Sequence, residues 1–263
     1  MDITSIYGIC RISIVSMRLQ PDHQSEMVNQ LLFGEHYTVL KESEDGKWIK
    51  IISAIDRYEG WIQKEQFHQI SFEYFEQVGL SDYKICLDLF SSILFNKTQV
   101  NITIGSILPI TSNEIFQMDE HLAFNGESKS LGQKRDADFI EQIGRKYLNA
   151  PYLWGGKSPF GIDCSGFTQM VFRIAGYSIS RDSTQQAMNG KHVEDYSQAR
   201  SGDLLIFKNE SGKINHVGIL LDSNKVIHAS GKVRIDGLEE KGIINVETNQ
   251  QTHLLHSIRR VIL

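Results

Sequence analysis

The second half of the chain, from Asp136 onward, changes from helical to strand periodicity, and this order limits the folds it can adopt. The stretch "DADFIEQIGRKYLNA" spaces its apolar residues on one helical face and offers Asp136 or Asp138 as an N-cap. The stretch "CSGFTQMVFRIAG" predicts a second helix, which Gly176 ends. Three strand candidates follow, "DLLIF", "HVGILL" and "KVIHAS". Helices followed by an antiparallel sheet predict an α+β domain at 133–263.

The first half of the chain has a different pattern, with short strands separated by turns. Residues 1–70 contain strand and turn signals at the close spacing that is typical of a small barrel. Residues 71–132 are less regular, and "VNITIGSILPI" indicates strand, turn and strand within a second small β domain. The polar stretch "GESKSLGQKRD" is a plausible linker to the α+β domain.

Composition excludes several classes of protein. The chain has 263 residues, 41% apolar and 22% charged, with a net charge of -5. A net negative charge does not indicate a basic surface that binds nucleic acid. No apolar stretch is long enough to span a bilayer. The N-terminus lacks the features of a signal peptide, which predicts a cytoplasmic protein. A chain trimmed of its signal peptide, from the periplasm or cell envelope, would look the same.

Three distant cysteines form no disulfide framework, and we expect Cys10 and Cys86 to be buried.

Cys164, in "GIDCSGF", is a packed core thiol, a metal ligand or a nucleophile. It lies at the start of a predicted helix, where the partial positive charge and unpaired N–H groups lower a thiol pKa. The preceding carboxylate of Asp163 opposes this effect. A nucleophile at this position would therefore be helped by a second, positive partner, and a structural cysteine is the alternative.

His216 and His228 are the candidate partners, on two strands joined through "DSNK". Side chains alternate along a strand, so the two imidazoles share a face only with an odd loop or a bulge. We predict that register, with His216 as the base and His228 as the residue that orients it. A zinc site at Cys164, His216 and His228 is the alternative, although the wide spacing and the lack of a fourth ligand argue against it.

These residues lie in blocks that resemble the NlpC/p60 cysteine peptidases of bacterial cell-wall metabolism. The blocks are "APYLWGGKSPFGIDCSGFTQMVF", "RDSTQQ", "SGDLLIF", "INHVGILL" and "VIHAS", in the family's order, within about residues 137–260. The resemblance implies a papain-like fold and a catalytic triad of Cys164, His216 and His228. It implies no cofactor and no metal.

The first half is similar to a narrower group, in which bacterial SH3-like domains precede γ-D-glutamyl-L-diamino acid endopeptidases. "SEMVNQLLFGE" and "WIKIISAIDRYEGWI" are the matching stretches. The resemblance implies SH3-like barrels at 1–70 and, in diverged form, at 71–132. It implies cleavage after D-Glu in L-Ala-γ-D-Glu linked to meso-diaminopimelate or Lys, with a free N-terminal L-Ala. We therefore expect the protein to be a monomer whose binding partners are peptides derived from peptidoglycan.

The resemblance also implies roles for residues near the nucleophile. Tyr152 helps to stabilise the oxyanion, and Trp154 forms a wall, unless it packs in the core. Asp163 binds the substrate's ammonium group, acts as a helix N-cap, or does both. Ser165 and Ser183 hydrogen-bond the substrate backbone or the D-Glu carboxylate.

The first barrel completes the implied ammonium pocket. Glu26 and either Tyr58 or Glu59 are the implied residues; the alternative for Glu26 is an ordinary solvated loop charge. Two other functions stay open at this point: an amidase or acyltransferase on the same scaffold, and a non-catalytic protein that binds peptidoglycan.

Overall fold

The protein is described from a computed structural model, in which residues 5–80, 83–109, 122–222 and 224–262 are placed. The chain divides into two compact units. One unit contains residues 1–132 together with 155–158, and the other contains 133–154 and 159–263.

The first unit begins with a seven-stranded antiparallel sheet in the order β3-β2-β6-β5-β4-β1-β7. Its strands are β1 (Ile6–Ile9), β2 (Ile14–Arg18), β3 (Met27–Leu32), β4 (His36–Glu42), β5 (Trp48–Ser53), β6 (Glu59–Gln63) and β7 (Gln69–Ile70). Alternate side chains of these strands enclose an apolar core that includes Cys10, Val15, Met17 and Leu31. The prediction of short strands in this part of the chain is confirmed.

The rest of the first unit combines a helix with two three-stranded sheets. The helix α1 (Phe72–Leu80) lies where the sequence pattern predicted only β structure. The strands are β8 (Lys84–Cys86), β9 (Phe90–Phe95), β10 (Thr98–Thr103), β11 (Ile107–Leu108), β12 (Leu122–Phe124) and β13 (Ser128–Ser130). They form the sheets β10-β9-β12 and β11-β8-β13. The strand, turn and strand predicted at "VNITIGSILPI" are confirmed, whereas a second SH3-like barrel stays a prediction.

Residues 155–158 contribute a buried ion pair to the first unit. Lys157, which begins β14 (Lys157–Ser158), places its Nζ 3.1 Å from both carboxylate oxygens of Glu35. The backbone N–H of Lys157 donates to Gln30 Oε1 at 2.8 Å. Both charged side chains are buried, so each needs the other to offset the loss of water.

The second unit contains the two predicted helices, a short third helix that was not predicted, and a sheet that closes on itself. The helices are α2 (Ala137–Lys146), α3 (Cys164–Ile174) and α4 (Ser183–Gln186). The strands are β15 (Gly161–Ile162), β16 (Lys191–Val193), β17 (Leu204–Lys208), β18 (Ile214–Asp222), β19 (Lys225–Ser230), β20 (Lys232–Glu239), β21 (Gly242–Ile244) and β22 (Gln251–Arg260).

The sheet has the order β16-β22-β17-β18-β19-β20-β21, and β21 also pairs with β22. Six antiparallel strands, β17 to β22, therefore form a closed barrel with β16 outside it. The α+β order of this half is confirmed, including the N-cap at Asp136 and the end of α3 before Gly176, whose φ is 89°. Within the described parts of the chain, no helix is long and apolar enough to cross a membrane.

Candidate active site

Cys164 is the first residue of α3, as the sequence predicts. Asp163 is the N-cap, because its side chain accepts a hydrogen bond from the backbone N–H of Gly166 at 2.6 Å. All residues of α3 are buried, so the helix holds the cysteine on a rigid support. The N-cap role considered for Asp163 is thus confirmed.

The predicted lowering of the Cys164 pKa is wrong. The side chain is buried, with 6% of the residue exposed, and burial raises the pKa of the thiol to about 12. The negative charge of Asp163 raises this pKa further, while a backbone hydrogen bond from Val217 lowers it in part. Loss of water around a thiolate is therefore the largest effect on this pKa. The Val217 contact also places the sulfur beside β18, next to His216.

His216 on β18 and His228 on β19 share one face of the barrel. The pairing of these strands shifts register between Leu220 and Asp222, so that Gly218 lies opposite His228. This bulge confirms the predicted register, since a plain two-residue turn would turn the imidazoles to opposite faces. His216 Nε2 lies 2.8 Å from His228 Nδ1. Nε2 of His216 is therefore occupied, and Nδ1 is the ring nitrogen that stays available to a thiol.

Asp236 on β20 extends this chain of contacts and was missed in the sequence. Its Oδ2 lies 3.0 Å from His228 Nε2. Burial alone would raise the pKa of Asp236, but hydrogen bonds from His228, Val246 and Arg234 outweigh it and lower this pKa to about 2. The carboxylate is therefore ionised at neutral pH, at the far end of the pair of imidazoles.

His253 on β22 is the second residue that sequence reasoning missed. Its ring stacks on that of His216, with centroids 4.1 Å apart and planes 27° apart. Burial, together with the nearby charges of His228 and His253, holds the pKa of His216 well below its usual value. Burial likewise lowers the pKa of His253 to about 4. Both rings are thus neutral at pH 7.

A buried polar network surrounds the N-terminus of α3. Arg181, with 1% of its side chain exposed, donates to Asp163 through Nη1 at 2.9 Å and Nη2 at 2.7 Å. The same Nη1 lies 2.9 Å from Ser165 Oγ, which donates to Asp163 at 3.2 Å. The block "RDSTQQ" contains Arg181, and a buried arginine needs a carboxylate partner, but the sequence alone does not say which.

Three other predicted site residues belong to the same unit. Tyr152 is half-buried, and burial, with the charges of Cys164 and Asp163, raises its pKa, so its hydroxyl keeps its proton. Trp154 is 60% exposed, which makes core packing wrong for this side chain. Ser183 begins α4 and is partly exposed. Contacts of these three residues with a substrate stay predictions.

The three residues predicted for the ammonium pocket belong to the first unit. Glu26 is an exposed loop residue, and Tyr58 packs against the core of the barrel. Glu59 begins β6 and pairs with Lys50, whose Nζ lies 2.6 Å from Glu59 Oε2. Their contact with a substrate stays a prediction.

Among the residues that the structure describes, no group of three or more His, Cys, Asp or Glu is arranged to hold a metal ion. Two hydrogen-bonded imidazoles and a carboxylate lie in line here, and the thiol of Cys164 contacts the backbone of Val217, the residue after His216. Such an arrangement can move a proton from the sulfur and return it to a leaving group.

Comparison with known proteins identifies the family of the chain. Residues 149–251 match the NlpC/P60 family, and residues 17–67 match the bacterial dipeptidyl-peptidase SH3 domain. A γ-D-glutamyl-L-lysine dipeptidyl-peptidase of Bacillus subtilis (strain 168) is 32% identical over 219 residues, which are 76% of this chain and 71% of that protein. The chain belongs to the NlpC/P60 family. This NlpC/P60 protein is a cysteine peptidase with an SH3-like domain ahead of its catalytic domain.

Two further comparisons extend over most of the NlpC/P60 chain. The dipeptidyl-peptidase 6 of Lysinibacillus sphaericus is 26% identical over 255 residues, covering 87% of this chain and 90% of that protein. The crystal structure of an NlpC/P60 family protein from Bacillus cereus ATCC 10987 superposes with a TM-score of 0.82 at 20% identity. It covers 97% of this chain and 99% of that chain, which supports the fold.

Proposed function

We propose that this peptidase hydrolyses the bond between D-Glu and the following diamino acid in peptidoglycan stem peptides that have a free N-terminal L-Ala. Two relatives, from Bacillus subtilis and Bacillus cereus, are both γ-D-glutamyl-L-lysine dipeptidyl-peptidases, which supports the choice of bond. We also propose that it acts in the recycling of muropeptides, as a cytoplasmic monomer.

The observation that supports this function best is the line of contacts from Asp236 through His228 to His216, beside the sulfur of Cys164. The buried thiol and the imidazole of His216 each favour their neutral form. The reaction therefore begins with a thiol whose proton passes to His216 Nδ1 while the sulfur attacks the carbonyl carbon. The sequence suggested a thiolate that exists before the substrate binds. We propose instead that the thiol loses its proton as it attacks.

The tetrahedral oxyanion is held by the backbone N–H of Cys164, which has no partner within α3, with Tyr152 assisting. The protonated phenol of Tyr152 suits this role, because only a neutral hydroxyl can donate. His216 then gives its proton to the amine of the diamino acid as the C–N bond breaks. A thioester between Cys164 and the γ-carbonyl of D-Glu remains, and water hydrolyses it with His216 as the base.

Asp163 is proposed to bind the substrate's ammonium group while it caps α3. Its carboxylate is already held by Arg181, so the ammonium group would share an ion pair that exists before the substrate binds. Ser165 and Ser183 are proposed to hydrogen-bond the substrate, Trp154 to form a wall, and Glu26 with Tyr58 or Glu59 to complete the pocket.

Mass spectrometry of the products from a small panel of stem peptides tests this proposal. We expect L-Ala-γ-D-Glu and a free diamino acid peptide as products, and loss of cleavage when the N-terminal L-Ala is acetylated. Equal rates on free and acetylated peptides would refute the ammonium pocket. Preference for acylated or muramyl-linked substrates would favour the amidase or acyltransferase alternative.

A further inference from the structure

We propose that Asp236 is a positioning residue that determines which nitrogen of His216 holds the proton in the resting enzyme. The inference rests on the proposed roles of His216 and His228. Two distances define the path: 3.0 Å from Asp236 Oδ2 to His228 Nε2, and 2.8 Å from His228 Nδ1 to His216 Nε2.

The carboxylate of Asp236 is fixed from three sides. Its Oδ1 accepts hydrogen bonds from Arg234 Nη2 at 3.0 Å and from the backbone N–H of Val246 at 3.1 Å. Its other oxygen faces His228, and only 1% of the residue is exposed. Three donors around one carboxylate keep it in its ionised form, in which it can only accept.

An ionised acceptor at one end determines the direction of every hydrogen bond along the path. His228 must present an N–H at Nε2 to Asp236, so a neutral His228 has a lone pair at Nδ1. That lone pair accepts from His216 Nε2–H. The neutral ring of His216 then has its lone pair at Nδ1, the nitrogen that remains for the thiol of Cys164. The carboxylate of Asp236 thus determines, through His228, which nitrogen of His216 holds the proton.

The same carboxylate acts on the charged form of His216 during the reaction. When Nδ1 accepts the proton of Cys164, the imidazolium lies one ring away from a negative charge in a buried site, where charges interact strongly. The other titratable groups around the imidazole pair are His228 on β19, Arg234 on β20 with its partner Glu247 at 3.4 Å, and His253 on β22. Asp236 is the carboxylate in contact with the imidazole pair and stabilises the imidazolium, whereas the positive charge of Arg234 opposes it.

The test compares Asp236→Asn with Asp203→Asn. Asp203 is a matched control, since it is also buried in this unit and also paired with an arginine, Arg260, at 2.7 Å. An amide at position 236 can donate to His228 Nε2 and reverse the direction of both hydrogen bonds. We expect Asp236→Asn to lower kcat by about 10²-fold, the lower end of what general acid–base catalysis contributes, with little change in KM. We also expect the acid limb of its kcat/KM profile to move to lower pH, because the imidazolium loses a stabilising charge.

Asp203→Asn should leave both kcat and the pH profile as in the wild type. Asp236→Glu keeps the carboxylate and should restore part of kcat. Equal kinetics for Asp236→Asn and Asp203→Asn would overturn the proposal, as would a loss of activity in Asp236→Asn that occurs without a change in the pH profile.

Nitrogen-15 NMR of the wild-type protein supplies a measurement that needs no turnover and no variant that could misfold. We expect His216 and His228 each to hold a proton on Nε2 at neutral pH, and a proton on Nδ1 of His216 would overturn the proposal. If the protein cleaves no stem peptide, although His216 is in the expected tautomer and Asp236→Asn changes that tautomer, the proposed function fails and the role of Asp236 stands.

Discussion

Burial raises the thiol pKa of two of the buried cysteines, Cys10 in the first unit and Cys164 in the second, and the two differ in their surroundings. Burial raises the pKa of Cys10 and of Cys164 to about 12. Cys10 donates to the carbonyl oxygen of Ile12 at 3.2 Å and lies in the apolar core of the first barrel. Cys164 lies beside Val217 and the imidazole pair. Acidity does not distinguish the nucleophile here; a base that can take the proton does.

The largest expected effect contrasts the two cysteines directly. Cys164→Ala should lower kcat about 10⁶-fold, as loss of a nucleophile does in other covalent peptidases, with the fold retained. Cys10→Ala should keep kcat and lower the free energy of unfolding by about 1 kcal/mol, because it leaves a small cavity in a packed core. Kinetics and urea denaturation of both variants measure the contrast. Full turnover by Cys164→Ala would refute its role.

The ion pair beside Cys164 gives the next largest effect. Arg181→Met leaves the buried carboxylate of Asp163 without its partner, and we expect a loss of about 3–5 kcal/mol in the free energy of unfolding. Arg145→Met is the control, since Arg145 pairs with Glu141 on the exposed face of α2 and should cost less than about 1 kcal/mol. Chemical denaturation distinguishes the two. Equal losses would mean that solvent screens the Asp163 pair as well.

The position of the nucleophile and of both imidazoles could be predicted from the sequence, because each depends on a local pattern. A helix start fixes Cys164, and the alternation of strand faces restricts His216 and His228 to a bulged hairpin. Even there, the direction of the pKa shift was wrong, because burial of the thiol depends on packing that a local pattern does not contain.

Asp236 and His253 could not be predicted, because they reach the site through the barrel. Asp236 lies on β20, in a strand whose alternation looks ordinary, and only the pairing of His228 with Arg234 brings it to the histidine face. His253 belongs to β22, which joins the barrel by pairing with β17 and β21. α1 was missed for a related reason, since the pattern of strands around it suggested continuous β structure.

Gly218 tests whether the spacing of the imidazoles matters as well as their presence. A Cβ at this position would lie 2.7 Å from Val226 Cγ2 and 3.1 Å from the Cβ of His228. Gly218→Ala should therefore displace His228 and lower kcat by about 10²-fold, the cost of a displacement near 1 Å. Gly144→Ala in α2 is the control, because its added Cβ meets only ordinary contacts, the nearest at 3.5 Å. Unchanged kcat in Gly218→Ala would show that the pair tolerates such a shift.

The smallest expected effect concerns the ring that stacks on His216. His253→Ala removes the stacked face, and we expect kcat to fall about 2- to 10-fold, since such ring pairs contribute about 0.5–1.5 kcal/mol. His253→Phe keeps an aromatic face without ring nitrogens and should retain most of kcat. If the phenylalanine variant is as slow as the alanine variant, the nitrogens of His253 matter rather than its face. The described residues that pack around Cys10 include no histidine. If kcat depends on the ring at position 253, that dependence therefore comes from the surroundings of Cys164 and not from the burial of a thiol.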